Sequence, residues 1–198
     1  PSDAKPYIVE ITEYDLTGDF SHVAVPKLDK DAFLLAKITG WEKLDLVPGP
    51  SNVYFNQIYV GESYINTRNV EDTLGLSFGR DDKIIVTRKR VEEFSNKSVI
   101  GNSKKDTYAY EIIVKNNRSR DIEMELVDQI PISTDSDIDV SINEISDAKY
   151  DETTGELIWK VKLSPGEAKK YTLSFTIKYP KDKKIQVKKY RTVSAPSF

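Results

Sequence analysis

The alternation of side chains between Tyr150 and Tyr179 constrains this fold more than any other stretch of the sequence. Leu157, Trp159, Val161 and Leu163 alternate with Ile158, Lys160 and Lys162. After Ser164-Pro165-Gly166-Glu167, the residues Tyr171, Leu173, Phe175, Ile177 and Tyr179 alternate with Thr172, Ser174, Thr176 and Lys178. Successive strand residues point to opposite faces, so each run has one apolar and one wet face. The pattern predicts two half-buried strands, joined by a turn, that face one core.

The rest of the chain repeats this pattern less cleanly. Tyr7, Val9 and Ile11 alternate, Thr17-Gly18-Asp19 reads as a turn, and Phe20, Val23 and Val25 follow. Ala32 to Ile38 reads as a short buried strand, because its polar and glycine flanks are turn-like. Pro48-Gly49-Pro50 reads as a hairpin turn, and Asn52 to Gly61 as two strands meeting at Asn56-Gln57. Asp72 to Phe78 alternates, and Gly79-Arg80-Asp81-Asp82 reads as a break. Beyond it, Lys83 to Phe94 reads as one long strand and Ser95 to Asp106 as a polar loop. Further strands are expected at Thr107 to Lys115, around Ile122, Met124 and Leu126, and around Ile138, Val140 and Ile142. Lys181 to Arg191 allows an edge strand or a basic tail, and the last five residues read as disordered. No helical run longer than two turns stands out. The expectation is an all-β protein of two β-sandwich-like halves. Residues 1–80 form a β-rich first half, residues 81–185 an immunoglobulin-like second half, and residues 186–198 a tail or edge strand.

Composition removes several function classes. With no Cys, disulfides, thiol catalysis and thiolate zinc sites are excluded. A single histidine, His22, rules out a multi-His metal site and leaves a Ser-His-Asp arrangement without support. A net charge of -3 argues against nucleic acid as a partner, since phosphate binding needs a basic surplus. No apolar run approaches the roughly 18 residues of a membrane span. Beginning at Pro1 with neither Met nor a signal peptide, the chain reads as an excised fragment or mature product.

Residues 31–65 (DAFLLAKITGWEKLDLVPGPSNVYFNQIYVGESYI), residues 79–117, which open with GRDDKI, and DQIPIS at 128–133 carry a resemblance. They resemble the C-terminal region of the mucoidy-inhibitor-like family of bacterial proteins, itself a domain of unknown function. The resemblance covers most of the chain. It implies a bacterial envelope, periplasmic or secreted setting. It also implies a further N-terminal domain and a coiled-coil segment, neither seen in this sequence. It implies no catalytic residues.

Specific chemical signals are few. Asp135, Asp137 and Asp139 form D-x-D-x-D, but an EF-hand loop needs Gly after the third acid and Glu at its twelfth position. Val140 and Ser146 stand there, leaving a solvated strand face or a loose surface calcium site as the readings. Ser146 and Lys149 match S-x-x-K without its companion words and read as chance. A glycosidase-type carboxylate pair has Asp45, Glu62, Asp72, Glu92 and Glu93 to draw on, with no activating partner visible. Asn96-Lys97-Ser98 and Asn117-Arg118-Ser119 are glycosylation sequons, with meaning only in a eukaryotic secretory setting. His22 reads as structural by default.

The aromatics of the first half are the binding candidates: Trp41, Tyr54, Tyr59 and Tyr64. If Val53 and Phe55 face the core, Tyr54 faces out, and Tyr59 does so opposite Ile58 and Val60. Exposed aromatics stack on sugar rings or anchor protein partners. Trp41 has a competing reading as a cap on the core. Trp159 is in phase with Leu157 and Val161 and is expected inside. The expected function is a non-catalytic interaction or scaffold module, with no cofactor. Its partner would be another protein or a coiled coil of its own. A carbohydrate-binding module taking polysaccharide is the alternative, and a glycoside hydrolase is third.

Overall fold

The computed structural model describes residues 12–55, 57–65, 67, 73–183 and 185. Among these the chain is nearly all β, with two single-turn 3-10 helices and no α-helix. The strands are β1 (Gly18–Ala24), β2 (Asp31–Thr39), β3 (Gly49–Phe55), β4 (Ile58–Ile65), β5 (Thr73–Arg90) and β6 (Lys97–Ile100). They continue with β7 (Ser103–Asn116), β8 (Ile122–Gln129), β9 (Asp139–Glu144), β10 (Lys149–Tyr150), β11 (Glu156–Leu163) and β12 (Ala168–Pro180). Ten of them form one sheet in the order β10-β11-β8-β1-β2-β5-β7-β12-β9, with β6 beside β7. β3 and β4 form a separate two-stranded sheet.

β5 joins the two parts of the sequence. It runs unbroken through Gly79-Arg80-Asp81-Asp82, where a break was expected. There it gains a second partner: Thr73–Arg80 and, past a register shift, Ile85 pair with β2, while Ile84–Arg90 pair with β7. The other link is β1, which pairs antiparallel with β2 and parallel with β8. Both links run through strands whose partners are distant in sequence, so local alternation carries no trace of them.

One core cluster draws on strands from both ends of the sheet order. It contains Met124 and Leu126 of β8, Leu157, Trp159 and Val161 of β11, Ile112 and Val114 of β7, and Leu173, Phe175 and Ile177 of β12. Ala24 of β1 and Ala32 of β2 belong to the same cluster. The alternation of β11 and β12 is therefore in the expected phase: Leu157, Trp159, Val161 and Leu163 are buried, and Lys160 and Lys162 exposed. Trp159 also donates its Nε1–H to the carbonyls of Ile145 (2.8 Å) and Ser146 (3.1 Å).

Several local expectations are corrected. Pro48-Gly49-Pro50 is not a turn, because β3 begins at Gly49. Gly18 opens β1 rather than a turn. The long strand ends at Arg90, followed by a 3-10 turn at Glu92–Phe94. Ser95 to Asp106 is not a loop: it contains β6 and the start of β7. β6 escapes a sequence reading because all four of its residues are exposed and show no alternation. The strand expected at Tyr7 to Ile11 and the fate of residues 186–198 lie outside the described residues.

Candidate functional site

The β3–β4 hairpin carries most of the residues singled out for binding. Tyr54 pairs with Tyr59, Asn52 with Glu62, and Pro50 with Tyr64. Strict alternation would put Tyr59 on the opposite face from Glu62 and Tyr64. A register shift between Val53 and Tyr54, opposite Val60, brings all three to one side. Tyr54, Tyr59 and Tyr64 are more than half exposed. Tyr54 and Tyr59 meet edge to face, with centroids 5.5 Å apart and planes at 62°. The other face of the hairpin turns inward: Val53 is buried, and Phe55 packs against Phe78 of β5 at 6.0 Å. Gly79 of β5 lies against this hairpin, and its backbone conformation favours glycine. Its φ is +84°, and a Cβ there would lie 3.5 Å from the Val60 carbonyl oxygen.

Trp41 does not join this face. It sits in the 3-10 turn after Gly40 and is 7% exposed. Its Nε1 is the one fully buried side-chain nitrogen without a hydrogen-bond partner among the described residues.

Of the three acids weighed for calcium, Asp135 and Asp137 pair with a cation of the chain itself. Lys183 Nζ lies 2.6 Å from Asp135 Oδ2 and 3.0 Å from Asp137 Oδ2. The Asp137 N–H donates to Asp135 Oδ1, so these two acids form a turn instead of an extended face. Asp139 is already in β9. No cluster of three or more metal-ligating side chains occurs among the described residues.

Nor does the S-x-x-K pair form a nucleophile site. Ser146 Oγ accepts the Thr172 N–H at 2.8 Å, pinning a turn to β12. Among the candidate carboxylates, Asp45, Glu62, Glu92 and Glu93 are exposed, and Asp72 lies outside the described residues.

A second feature was not legible in the sequence. His22 of β1 is buried, and its Nε2 lies 2.8 Å from Asp81 Oδ2 on β5, 59 positions away. Arg118 reaches the same oxygen at 2.5 Å, and the Lys83 N–H donates to Asp81 Oδ1. Burial lowers the His22 pKa below its ordinary 6.5, against the pull of Asp81. Burial also presses on Asp81, but the Arg118 hydrogen bond, the Lys83 N–H and nearby positive charge hold it below 3.8. A neutral His22 must then donate its Nε2–H to the carboxylate, because an ionised Asp only accepts.

His22 also borders a cavity of about 400 Å³ with Phe20, Leu34, Phe55, Arg120, Asp121, Ile122 and Glu123. Asn116 shapes its rim. Fully buried, it donates from Nδ2 to the carbonyls of Arg120, Leu163 and Ser164, and its Oδ1 accepts the Arg118 N–H. It therefore fixes the turn that presents Arg118 inward and Arg120 at the rim. Another buried polar group, Asp128, pairs with Arg88 at 2.6 Å, and Arg88 stacks over Tyr110 at 3.7 Å.

Comparisons with known proteins place the chain without explaining it. The solved folded domain of the Mycobacterium tuberculosis LppM protein aligns over 90% of this chain and 98% of that one, at 12% identity and a TM-score of 0.22. Protein F37C4.5 of Caenorhabditis elegans is 25% identical over 193 residues, 91% of this chain and 35% of the relative. The chain thus spans about a third of that relative's length. A family model matches residues 1–181, and on that match the chain belongs to the family described as Domain of unknown function (DUF4139).

Proposed function

We propose that this chain is a non-catalytic interaction module that binds a protein partner through the exposed face of the β3–β4 hairpin. The observation that carries this is the concentration of Tyr54, Tyr59 and Tyr64 on one face of a hairpin outside the ten-stranded sheet. Large aromatics of this kind anchor protein interfaces at little entropic cost.

Ring geometry favours protein over polysaccharide. A sugar platform needs rings that lie flat along one plane, whereas Tyr54 and Tyr59 stand at 62° to one another. Glu62 and Asn52 sit between the Tyr54–Tyr59 pair and Tyr64, so the best-matched partner offers a basic side chain flanked by apolar ones. A coiled-coil segment of a longer version of this protein is one source of such a surface. The resemblance to the mucoidy-inhibitor-like family supports a bacterial envelope, periplasmic or secreted setting.

A sandwich-like arrangement, immunoglobulin-like in residues 81–185, is part of the same proposal. It is supported by a single core that gathers residues from strands far apart in the sheet order. The hairpin would then stand outside the two packed layers, where it is free to bind.

The test is retention of envelope-extract protein and glycan on the immobilised chain, compared with a Tyr54→Ser/Tyr59→Ser/Tyr64→Ser variant. A discrete protein lost in the variant supports the module. Polysaccharide lost in the variant, with no protein, supports the carbohydrate-binding alternative.

A further inference from the structure

The cavity beside His22 has a topological origin. β1 and β8 are parallel neighbours, but their pairing covers only His22–Ala24 against Met124–Leu126. Before His22, the residues Gly18–Ser21 of β1 have β2 as their sheet neighbour among the described residues. Ile122 and Glu123 of β8 likewise have β11 alone. The pairing of these two strands therefore stops short of their N-terminal ends, and Phe20, Ile122 and Glu123 of the unpaired stretches line the cavity at this split. Among the described residues these stretches have no second strand neighbour, and half of a strand's N–H and C=O groups point away from its existing one.

We propose that this split binds the carboxy-terminal end of an extended peptide whose last residue is large and apolar. A chain of about 3.3 Å rise per residue entering the split would meet the free edges of β1 and β8 with its own N–H and C=O groups. Arg120 at the rim has no ion pair among the described residues, so its guanidinium is available for a terminal carboxylate. Phe20, Phe55 and Leu34 supply apolar wall for the last side chain. Phe20 is 57% exposed although it packs against Phe78 at 5.5 Å, and an occupant would cover it.

The acids of the rim do not cancel this preference. Glu123 is neutralised by Lys162 at 2.6 Å. Asp121 is unpaired among the described residues and sits beside Arg120 in the chain. It favours a peptide that carries a basic residue upstream of its terminus. This site is independent of the tyrosine face, since Phe55 and Tyr54 lie on opposite sides of β3.

The experiment is a fluorescence-anisotropy titration of N-terminally labelled pentapeptides ending in Lys-Gly-Phe, as the free acid or the amide. The free acid should bind saturably, and the amide about tenfold more weakly, as expected for loss of one charge-assisted contact. Arg120→Gln should erase the difference between acid and amide. Phe20→Ser should weaken both, and Tyr54→Ser/Tyr64→Ser should change neither. Arg120 and Phe20 are exposed, so these variants are expected to fold. No saturation at millimolar chain, equal binding of acid and amide, or discrimination surviving in Arg120→Gln would each overturn the proposal. Free phenylalanine binding as tightly as the peptide would also overturn it, because main-chain pairing would then contribute nothing.

Discussion

Replacing Trp159 tests whether the sheet really closes on one core. The side chain is 3% exposed and belongs to the cluster that also holds Ile112, Leu126 and Phe175. It packs at 5.6 Å against Tyr171, and its Nε1–H holds the carbonyls of Ile145 and Ser146. Those carbonyls open a turn in which Ser146 and Asp147 have φ of 43° and 59°, a conformation that needs outside support. Trp159→Ala removes the packing, leaves a cavity and orphans the turn, and should cost about 3–5 kcal/mol. Trp159→Phe keeps a ring against Tyr171 and loses the donor, so about 1–3 kcal/mol is expected. At roughly 2–4 °C per kcal/mol for a domain of this size, the alanine variant should melt about 6–20 °C lower. Urea unfolding followed by circular dichroism reads both variants, and the slope of the transition should not change. An alanine variant within about 1 kcal/mol of the parent would refute the shared core. A phenylalanine variant as unstable as the alanine one would refute the reasoning about packing.

Three further outcomes follow from single contacts. Gly155→Ala should cost at least about 2 kcal/mol in urea unfolding, because its φ is +75° and the new Cβ would lie 2.3 Å from the Ile130 carbonyl oxygen. Gly166→Ala, at φ +76° with nothing within 4 Å, should cost only about 1 kcal/mol, and equal costs would contradict the clash. Asp128→Ala strands Arg88 over Tyr110 beside a fully buried gap and should cost about 3–5 kcal/mol; a near-neutral result would mean that Arg88 finds water instead. Stability should fall with acid in two stages. The unfolded chain takes up the His22 proton more readily than the folded one, so stability declines as pH drops below 6.5 toward the lowered folded value. Asp81 behaves as a depressed carboxylate, so its contribution is present above 3.8 and is lost as pH falls through its lower folded value. His22→Gln should remove the first stage, and an unchanged slope below pH 6.5 would assign that stage to another group.

What could be read in the sequence divides along a physical line. β11, β12, β7 and β8 announce themselves, because a strand with one buried face must alternate. The outward aim of Tyr54 was equally legible from the phase of Val53 and Phe55, whereas that of Tyr59 is set by a register shift, and Ile58, expected inward, is itself exposed. β6 was hidden because an exposed strand is under no such demand. Pro48-Gly49-Pro50 misled because an edge strand tolerates proline as readily as a turn does. The His22–Asp81–Arg118 cluster and the Arg88–Asp128 pair join residues 37 to 59 and 40 positions apart, through partners that alternation cannot name. The counter-charge of the D-x-D-x-D motif was hidden for a similar reason: Lys183 lies 46 residues beyond Asp137.

Site-specific photo-crosslinking from the hairpin tests the interaction module most directly. A benzophenone amino acid placed at Tyr54, on the exposed face, would be irradiated in intact cells and its adducts sequenced. A single protein adduct is expected, mapping to a segment with a basic residue among apolar ones and lost when Tyr59 and Tyr64 are changed to Ser. No protein adduct at Tyr54, or adducts that persist in the Tyr59→Ser/Tyr64→Ser background, would contradict a protein-binding role for this face.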